Sequence, residues 1–422
     1  MAYILWLLIA IFALLSRIFM KSWFAPGAFF SIIWCFYTLL PLFLVPSWEF
    51  HPLGLLWILF ACFIVFTGSL TGYTFNSRSI SQNGMIREKL YNLNKSAITY
   101  SIFIFTVMSF GGILVLILNA GYNLSSLFSL TYLSEISYFY SFARYTDPSY
   151  REPILSIFLS SFTYSGAFLG GVLYAIPKIN IRQRLFSILP LLVALLYCLV
   201  EGTRASIYFP IIMWISSYIS TKILHKNKIS LFSLKNIFLY VIGILGASGI
   251  YIFVQLLRWG HEEFNINNLY RVSPIFYSAF LGPPVLFSQW FSEHWYNMTD
   301  ATFGLFTNPL LRLIFSSPRL RFESTSLEDT PGAESTVFTL FAEIIQDYTV
   351  IGAIFWLFIL GFFAGWTYRQ LLNGKIIYVP FMAIFYSVVI CSLTGFLFSY
   401  TTIIFAWFMF LFCYKFAIHK KI

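Results

Sequence analysis

The sequence predicts an all-α polytopic integral membrane protein, and three observations carry that expectation. Of the 422 residues, 59% are hydrophobic and 10% charged, with a mean hydropathy of +0.80. A soluble domain carries roughly 25% charged residues. Apolar runs of about 20 residues, the length that crosses a hydrocarbon core, recur from one end to the other. The lysines are confined to alternate connections between those runs. A formal net charge of +10 would suggest nucleic acid in a soluble chain. Here topology segregates the charge, and no nucleic-acid partner is expected.

The first span covers about Ala2 to Phe19. Arg17 and Lys21 close it rather than precede it, the reverse of a secretory signal peptide, so it is expected to stay in place with a short N-terminus outside. Span two is about Ala28 to Val45, Pro46 to Pro52 an outer turn, and span three about Leu53 to Phe75. The basic loop Asn76 to Lys95 precedes span four, about Ala97 to Asn119. A second outer loop, Ala120 to Pro153, is rich in Tyr and Ser. Span five, about Ile154 to Ile176, leads through the basic turn Pro177 to Arg184 into span six, about Leu185 to Val200. The tight outer corner Glu201-Gly202-Thr203-Arg204 joins it to span seven, about Ala205 to Thr221. Lys222 to Lys235 is another basic loop before span eight, about Asn236 to Leu257.

From Arg258 to Asp347 the chain mixes Arg, Glu, Asp and His with Trp, Tyr and Phe, and it contains no lysine. GPP at Gly282 to Pro284 and SSP at Ser316 to Pro318 are turn signals. This segment is therefore expected as one large outer loop built from short interfacial helices. Its end, Ser335 to Asp347, is too short to cross and is expected as a half-inserted helix. Spans nine to eleven follow at about Tyr348 to Tyr368, Ile376 to Cys391 and Gly395 to Phe416, before a basic tail at His419 to Lys421. The count is about 11 spans, within 10 to 12, with the N-terminus out and the C-terminus in. Three consecutive parts result: residues 1–257 with the outer loop 120–153, residues 258–347, and residues 348–422.

In this arrangement every lysine lies inside, and among the acids only Glu88 does. The positive-inside rule predicts the lysine bias. Arg144, Arg151, Arg204, Arg258, Arg271, Arg312, Arg319 and Arg321 nevertheless fall outside. Arginine presents a planar fork that matches phosphate oxygens bidentately, which lysine does not. The alternative is that these arginines pair with Glu201, Glu262, Glu263 and Glu323. Cys35, Cys62, Cys198, Cys391 and Cys413 all sit inside apolar runs without CxxC spacing, and are expected as small buried hydrophobes. No P-loop, HExxH, GxSxG or dinucleotide fingerprint is present, which argues against an ATPase, a zinc hydrolase or a Rossmann enzyme.

The corner LVEGTRASIYFPIIMWI resembles the short G-x-R turn between two apolar spans of Wzy-type O-antigen polymerases. ESTVFTLFAEIIQDYTVIGAIFWLFILGFFAG is similar to that family's later stretch, with Asp347-Tyr348, Gly352 and Gly361 in the matching places. PGAFFSIIWCFYTLLPLF is similar to its second span. One departure is that the family's Asp-Phe-Gly form stands here as Asp-Tyr-Thr. The resemblance implies a GT-C-like helical fold in the bacterial inner membrane with its active face in the periplasm. It implies en bloc transfer of a glycan from one undecaprenyl-pyrophosphate carrier to the non-reducing end of another lipid-linked repeat unit. No cofactor or metal is implied. The partners would be undecaprenyl-pyrophosphate-linked oligosaccharides, membrane lipids and a chain-length regulator protein.

Such a transfer needs cations for the leaving pyrophosphate. The candidates are Arg204 and Arg258, each where a span meets the outer interface, with Arg271 and Arg312 as helpers. It needs a base near the acceptor hydroxyl. Glu343 and Asp347 lie one helical turn apart, so both can face one cleft, and His261 and His294 are alternatives. Trp259, Tyr270, Trp290, Trp295 and Tyr296 are candidates for sugar stacking, although Trp and Tyr also gather at membrane interfaces as anchors. Three rivals stay open: an O-antigen ligase or other lipid-linked glycosyltransferase, a polysaccharide transporter or flippase, and a membrane acyltransferase. A transporter would show repeated halves with helices broken at the midplane. An acyltransferase would want a histidine within a span.

Overall fold

A computed structural model of the chain describes residues 1–75, 91–146, 150, 152–225, 234–259, 266–296, 302, 304, 307–309, 311, 325–326, 334–335 and 339–420. The first helices are α1 (Ala2–Met20), α2 (Pro26–Leu44) and α3 (Pro52–Thr74), and α4 (Lys95–Asn119) and α5 (Leu130–Thr146) follow. Next come α6 (Ile154–Ala175), α7 (Ile181–Glu201), α8 (Ala205–Leu224), α9 (Leu234–Arg258) and α10 (Ile266–His294). The last are α11 (Leu340–Leu372), α12 (Val379–Cys391) and α13 (Thr401–Phe416). Among the described residues, eight helices are long and apolar enough to cross a membrane: α1 to α4, α6 to α8, and α11. The chain is a polytopic helical membrane protein.

Local chemistry sets several helix starts. Pro26 and Pro52 open α2 and α3 at positions whose N–H would have no intrahelical partner. At α7 Asn180 and Gln183 form a reciprocal capping box, with Gln183 N donating to Asn180 Oδ1 at 2.8 Å and Asn180 N to Gln183 Oε1 at 3.2 Å.

Three segments depart from the sequence expectation. Gly282 to Pro284 lies inside the continuous helix α10 instead of forming a turn. Proline in a helix interior costs about 3 kcal/mol. The whole run 281–288 is buried, and that apolar burial offsets the cost. Among the described residues, the large outer loop contains one 29-residue helix. The second outer loop carries α5, whose Leu133, Ile136 and Tyr140 recur at helical spacing and are buried. Span eleven begins only at Thr401, because 392–400 turns through Gly395 (φ +114°) and a short 3₁₀ stretch.

The chain divides into two compact units that interleave in sequence, in place of three consecutive parts. One comprises Met1–Glu88 and Tyr277–Thr401, the other Lys89–Phe276 and Thr402–Ile422. The first is built on the crossing of α3 and α11. Gly68 and Gly72 of α3 meet Gly361 and Gly365 of α11 so closely that a Cβ at Gly72 would overlap the Phe362 carbonyl, and one at Gly365 the Ser69 carbonyl. Small residues four apart let two backbones approach inside a bilayer, where van der Waals packing drives helix association. In the same unit the Trp34 and Phe341 rings meet at a tilt of 30°, with centroids 4.4 Å apart.

In the second unit α4, α6, α7 and α8 pack together. Its basic segments meet at one end. Lys95 Nζ donates to the carbonyls of Pro177 and Lys178, each at 3.0 Å. The short strand β1 (Tyr91–Leu93) pairs antiparallel with a second one, Ile418–Lys420. The five cysteines are free; Cys62, Cys198 and Cys391 are buried as expected, whereas Cys35 and Cys413 are half-buried.

Candidate functional site

The predicted site residues fall in both units, and each group is described within its own unit. In the second unit the corner between α7 and α8 gathers Glu201, Arg144, Arg204 and Arg258. Gly202 ends α7 at φ +63°, the left-handed region that favours glycine. Space demands glycine as well, since a Cβ there would lie 2.9 Å from Arg258 Cγ and 2.6 Å from the hydroxyls of Ser137 and Ser141. Arg258, the last residue of α9, is thereby laid against the corner. Its Nη1 donates to Gln255 Oε1 at 3.4 Å. The Arg204 guanidinium lies 4.1 Å from the centre of the Tyr251 ring on α9, a cation–π contact worth about 0.5–2 kcal/mol. The structure brings the two foremost arginine candidates to one corner.

Arg144 takes the other course open to the outer arginines. It forms an ion pair with Glu152, with Nε donating to Glu152 Oε1 at 2.6 Å, and its Nη1 donates to the Glu201 carbonyl at 2.9 Å. Burial opposes the charge of this guanidinium, but Glu152 and Glu201 outweigh it and raise its pKa. Burial also pushes the nearby Tyr150 phenol up. Arg144 is a bracket for the corner.

Glu201 is the residue whose importance the sequence reading missed. It was expected only as a partner for arginines. Its carboxylate, 8% exposed, instead meets hydroxyls: Thr203 Oγ1 donates to Oε2 at 2.7 Å and Ser206 Oγ at 2.6 Å. One signal was readable, Tyr197 and Glu201 four apart on a helix face. Its hydroxyl partners Thr203 and Ser206 stand only two and five residues on, but the turn that folds them back onto the carboxylate was not readable.

In the first unit a short helix does precede span nine, beginning at Leu340 rather than Ser335. α11 breaks at Thr349, whose φ of 62° and ψ of 176° are non-helical, so Leu340–Tyr348 is a short helix followed by a long one. Its two acids, expected to face one cleft, engage different segments. Glu343 Oε2 accepts the Phe396 N–H at 2.8 Å, and a Cβ at Gly395 would lie 2.5 Å from Glu343 Oε1. Asp347, with no exposure at all, accepts from Thr302 Oγ1 at 2.5 Å on one oxygen and from the Thr307 N–H at 2.7 Å on the other. Each carboxylate holds a different segment in place. Asp347 is buried and Glu343 half-buried.

His294, at the end of α10, points its Nδ1 at the Trp290 carbonyl 2.9 Å away and stacks on the Trp290 ring at 5.1 Å. Trp295 is 46% and Tyr296 63% exposed, a placement that suits interfacial anchors as well as sugar contact. Trp259 is half-buried just past α9. The side chains of Tyr270 and Arg271, and all of His261 and Arg312, lie outside the described residues. Among the described residues no group of three His, Cys, Asp or Glu could hold a metal ion. Comparison with protein-family models, with curated proteins and with solved structures finds no match to this chain.

Proposed function

We propose that this protein is a bacterial surface-polysaccharide polymerase, a glycosyltransferase that uses a polyprenyl-pyrophosphate-linked oligosaccharide as donor. It would lie in the inner membrane with about 11 spans, its N-terminus and active face in the periplasm and its C-terminus inside. The observation that carries the reading is the pairing of Arg204 and Arg258 around Gly202. Two guanidinia at the end of membrane helices suit a pyrophosphate, whose charge on departure they stabilise without a metal ion. Charge at such a depth is costly and usually functional. The resemblance of the Gly202-Thr203-Arg204 turn to the polymerase family supports the same reading, and so does the lysine-free outer segment.

In this scheme the acceptor hydroxyl gives its proton to His261 or His294 as base and attacks the anomeric carbon of the donor glycan, the bond to the pyrophosphate breaks, and the polyprenyl pyrophosphate leaves with its charge on the arginine corner. Glu343 and Asp347 act as positioning residues, since their oxygens hold Phe396 and the Thr302 and Thr307 segment.

The test is direct. Purified protein is given an undecaprenyl-pyrophosphate-linked repeat unit, and the products are separated on a gel. A ladder of multiples that vanishes with Arg204→Ala and Arg258→Ala supports the polymerase. A single transfer to lipid A core makes it a ligase. Movement of the labelled lipid across proteoliposomes without transfer makes it a flippase.

A further inference from the structure

We infer that the groove between the starts of α4 and α7 is a site for one anionic phospholipid, drawn from the leaflet that meets the basic end of the second unit. The groove measures about 410 Å³, the size of an ordinary small-molecule site. Both helices are long and apolar enough to cross the membrane, and both begin at this groove, so residue order along them reads as depth.

Polarity along the groove follows a phospholipid from headgroup to chain. Ser96, Asn180, Arg182 and Gln183 line it at the helix starts, and Tyr100, Phe103 and Phe186 line it further in. At 1.5 Å per residue, Phe103 lies about 10 Å deeper than Ser96, and Phe186 about 6 Å deeper than Arg182. The Phe103 and Phe186 rings meet edge to face with centroids 6.3 Å apart, and Phe103 keeps 51% of its surface exposed. That floor suits the upper part of an acyl chain. A soluble phosphate would leave it bare.

Charge selects the headgroup. Residues 94–105 and 177–190 hold Lys95, Lys178, Arg182 and Arg184, and no Asp or Glu. Lys95 is committed to the Pro177 and Lys178 carbonyls, which clamps the basic turn to the start of α4. Arg182 is exposed and pairs with no acid among the described residues. Its planar fork is the group that meets the phosphate. Asn180 gives its Oδ1 to the capping box, which leaves its amide Nδ2, with the Ser96 hydroxyl, to donate to further headgroup oxygens. Basic pockets between membrane helices recognise anionic headgroups in this way, whereas a zwitterionic lipid brings an ammonium of its own against the cations. The site lies within one unit and does not depend on the polymerase reading.

The test uses the full-length protein in phosphatidylcholine nanodiscs with increasing phosphatidylglycerol, read by Tm and by the lipid retained in native mass spectrometry. Wild type should retain one phosphatidylglycerol and show a saturable rise in Tm, as binding to the folded state requires. Arg182→Gln should need about tenfold more phosphatidylglycerol for the same rise, the loss expected for a charged hydrogen bond. Ser96→Trp leaves every cation in place but fills the polar mouth; it should melt like wild type in pure phosphatidylcholine and retain no lipid. Lys375→Gln removes an exposed lysine of the other unit and should respond like wild type. Equal loss of response in Lys375→Gln and Arg182→Gln would show diffuse attraction in place of a site and overturn the inference. So would wild type that retains no phosphatidylglycerol, or soluble glycerol phosphate that raises Tm as much in pure phosphatidylcholine.

Discussion

Replacing Thr349 by glycine should stabilise the protein, although glycine usually weakens a helix. Thr349 sits at φ 62° and ψ 176°, a region populated almost only by glycine, and a β-branched side chain there is a true outlier. Strain of this kind costs about 1–3 kcal/mol. Glycine returns part of that gain through its larger entropy loss on folding, about 0.5–1 kcal/mol. The net expectation for Thr349→Gly is about 1 kcal/mol of added stability, within about 0–2.5 kcal/mol, or roughly 1–2 °C in Tm for a chain of this size. The control lies two residues on. Ile351 is 66% exposed on the regular part of the same helix, and Ile351→Gly should lower stability by about 0.5–1 kcal/mol. The assay is a thermal melt of both variants in the same detergent. If Thr349→Gly is neutral or destabilising while Ile351→Gly behaves as expected, no strained break exists at Thr349 and the separation of the half-helix from the span is wrong.

Other perturbations test the remaining contacts. Gly365→Ala places a methyl group on the Ser69 carbonyl; overpacking of this kind costs about 1–3 kcal/mol, and size-exclusion chromatography should show less monodisperse protein. Glu343→Ala strands the Phe396 N–H and should cost about 1–3 kcal/mol, whereas Glu343→Gln keeps an acceptor and should melt near wild type with its transferase rate retained; a Glu343→Gln variant that folds but is inactive would restore this residue as the base. Asp347→Asn should be worse tolerated than Glu343→Gln, since both Asp347 oxygens receive donors and an amide nitrogen would face one of them; comparing the two melts decides it. A double-mutant cycle on Arg144 and Glu152, about one-fifth exposed at 21% and 23%, should return a coupling of about 1 kcal/mol, near the top of the range for surface pairs.

The spans were legible because a bilayer imposes one length and one polarity on them, and α1 to α4 begin and end close to where hydropathy puts them. α10 was not. Its N-terminal turns are polar and its middle holds Gly282-Pro283-Pro284, so local chemistry argued for a turn, and only the burial of 281–288 overrides it. The break after Asp347-Tyr348 was legible as the end of a short helix. Its conformation was not, because threonine gives no sign that it occupies a glycine region. At the corner, Gly202, Arg204 and Arg258 were visible as residue types at helix ends. The role of Glu201 was hidden although its hydroxyl partners Thr203 and Ser206 stand two and five residues on, because periodicity does not report how the turn at Gly202 folds them back onto its carboxylate. For the same reason Glu343 and Asp347 were seen as a pair one turn apart, while the backbone groups that engage them stand 53 and 40 residues away.

The glycine faces of α3 and α11 also set a timetable. Gly72 is made about 290 residues before the Phe362 carbonyl it packs on, and at a synthesis rate of about 5–20 residues per second that interval is roughly 15–60 s. For that time α1 to α3 rest in the membrane with their closest-packing surface turned to lipid. α3 thus waits long after its own synthesis for its partner, and a nascent chain stalled before α11 should be the form most exposed to membrane chaperones and proteases.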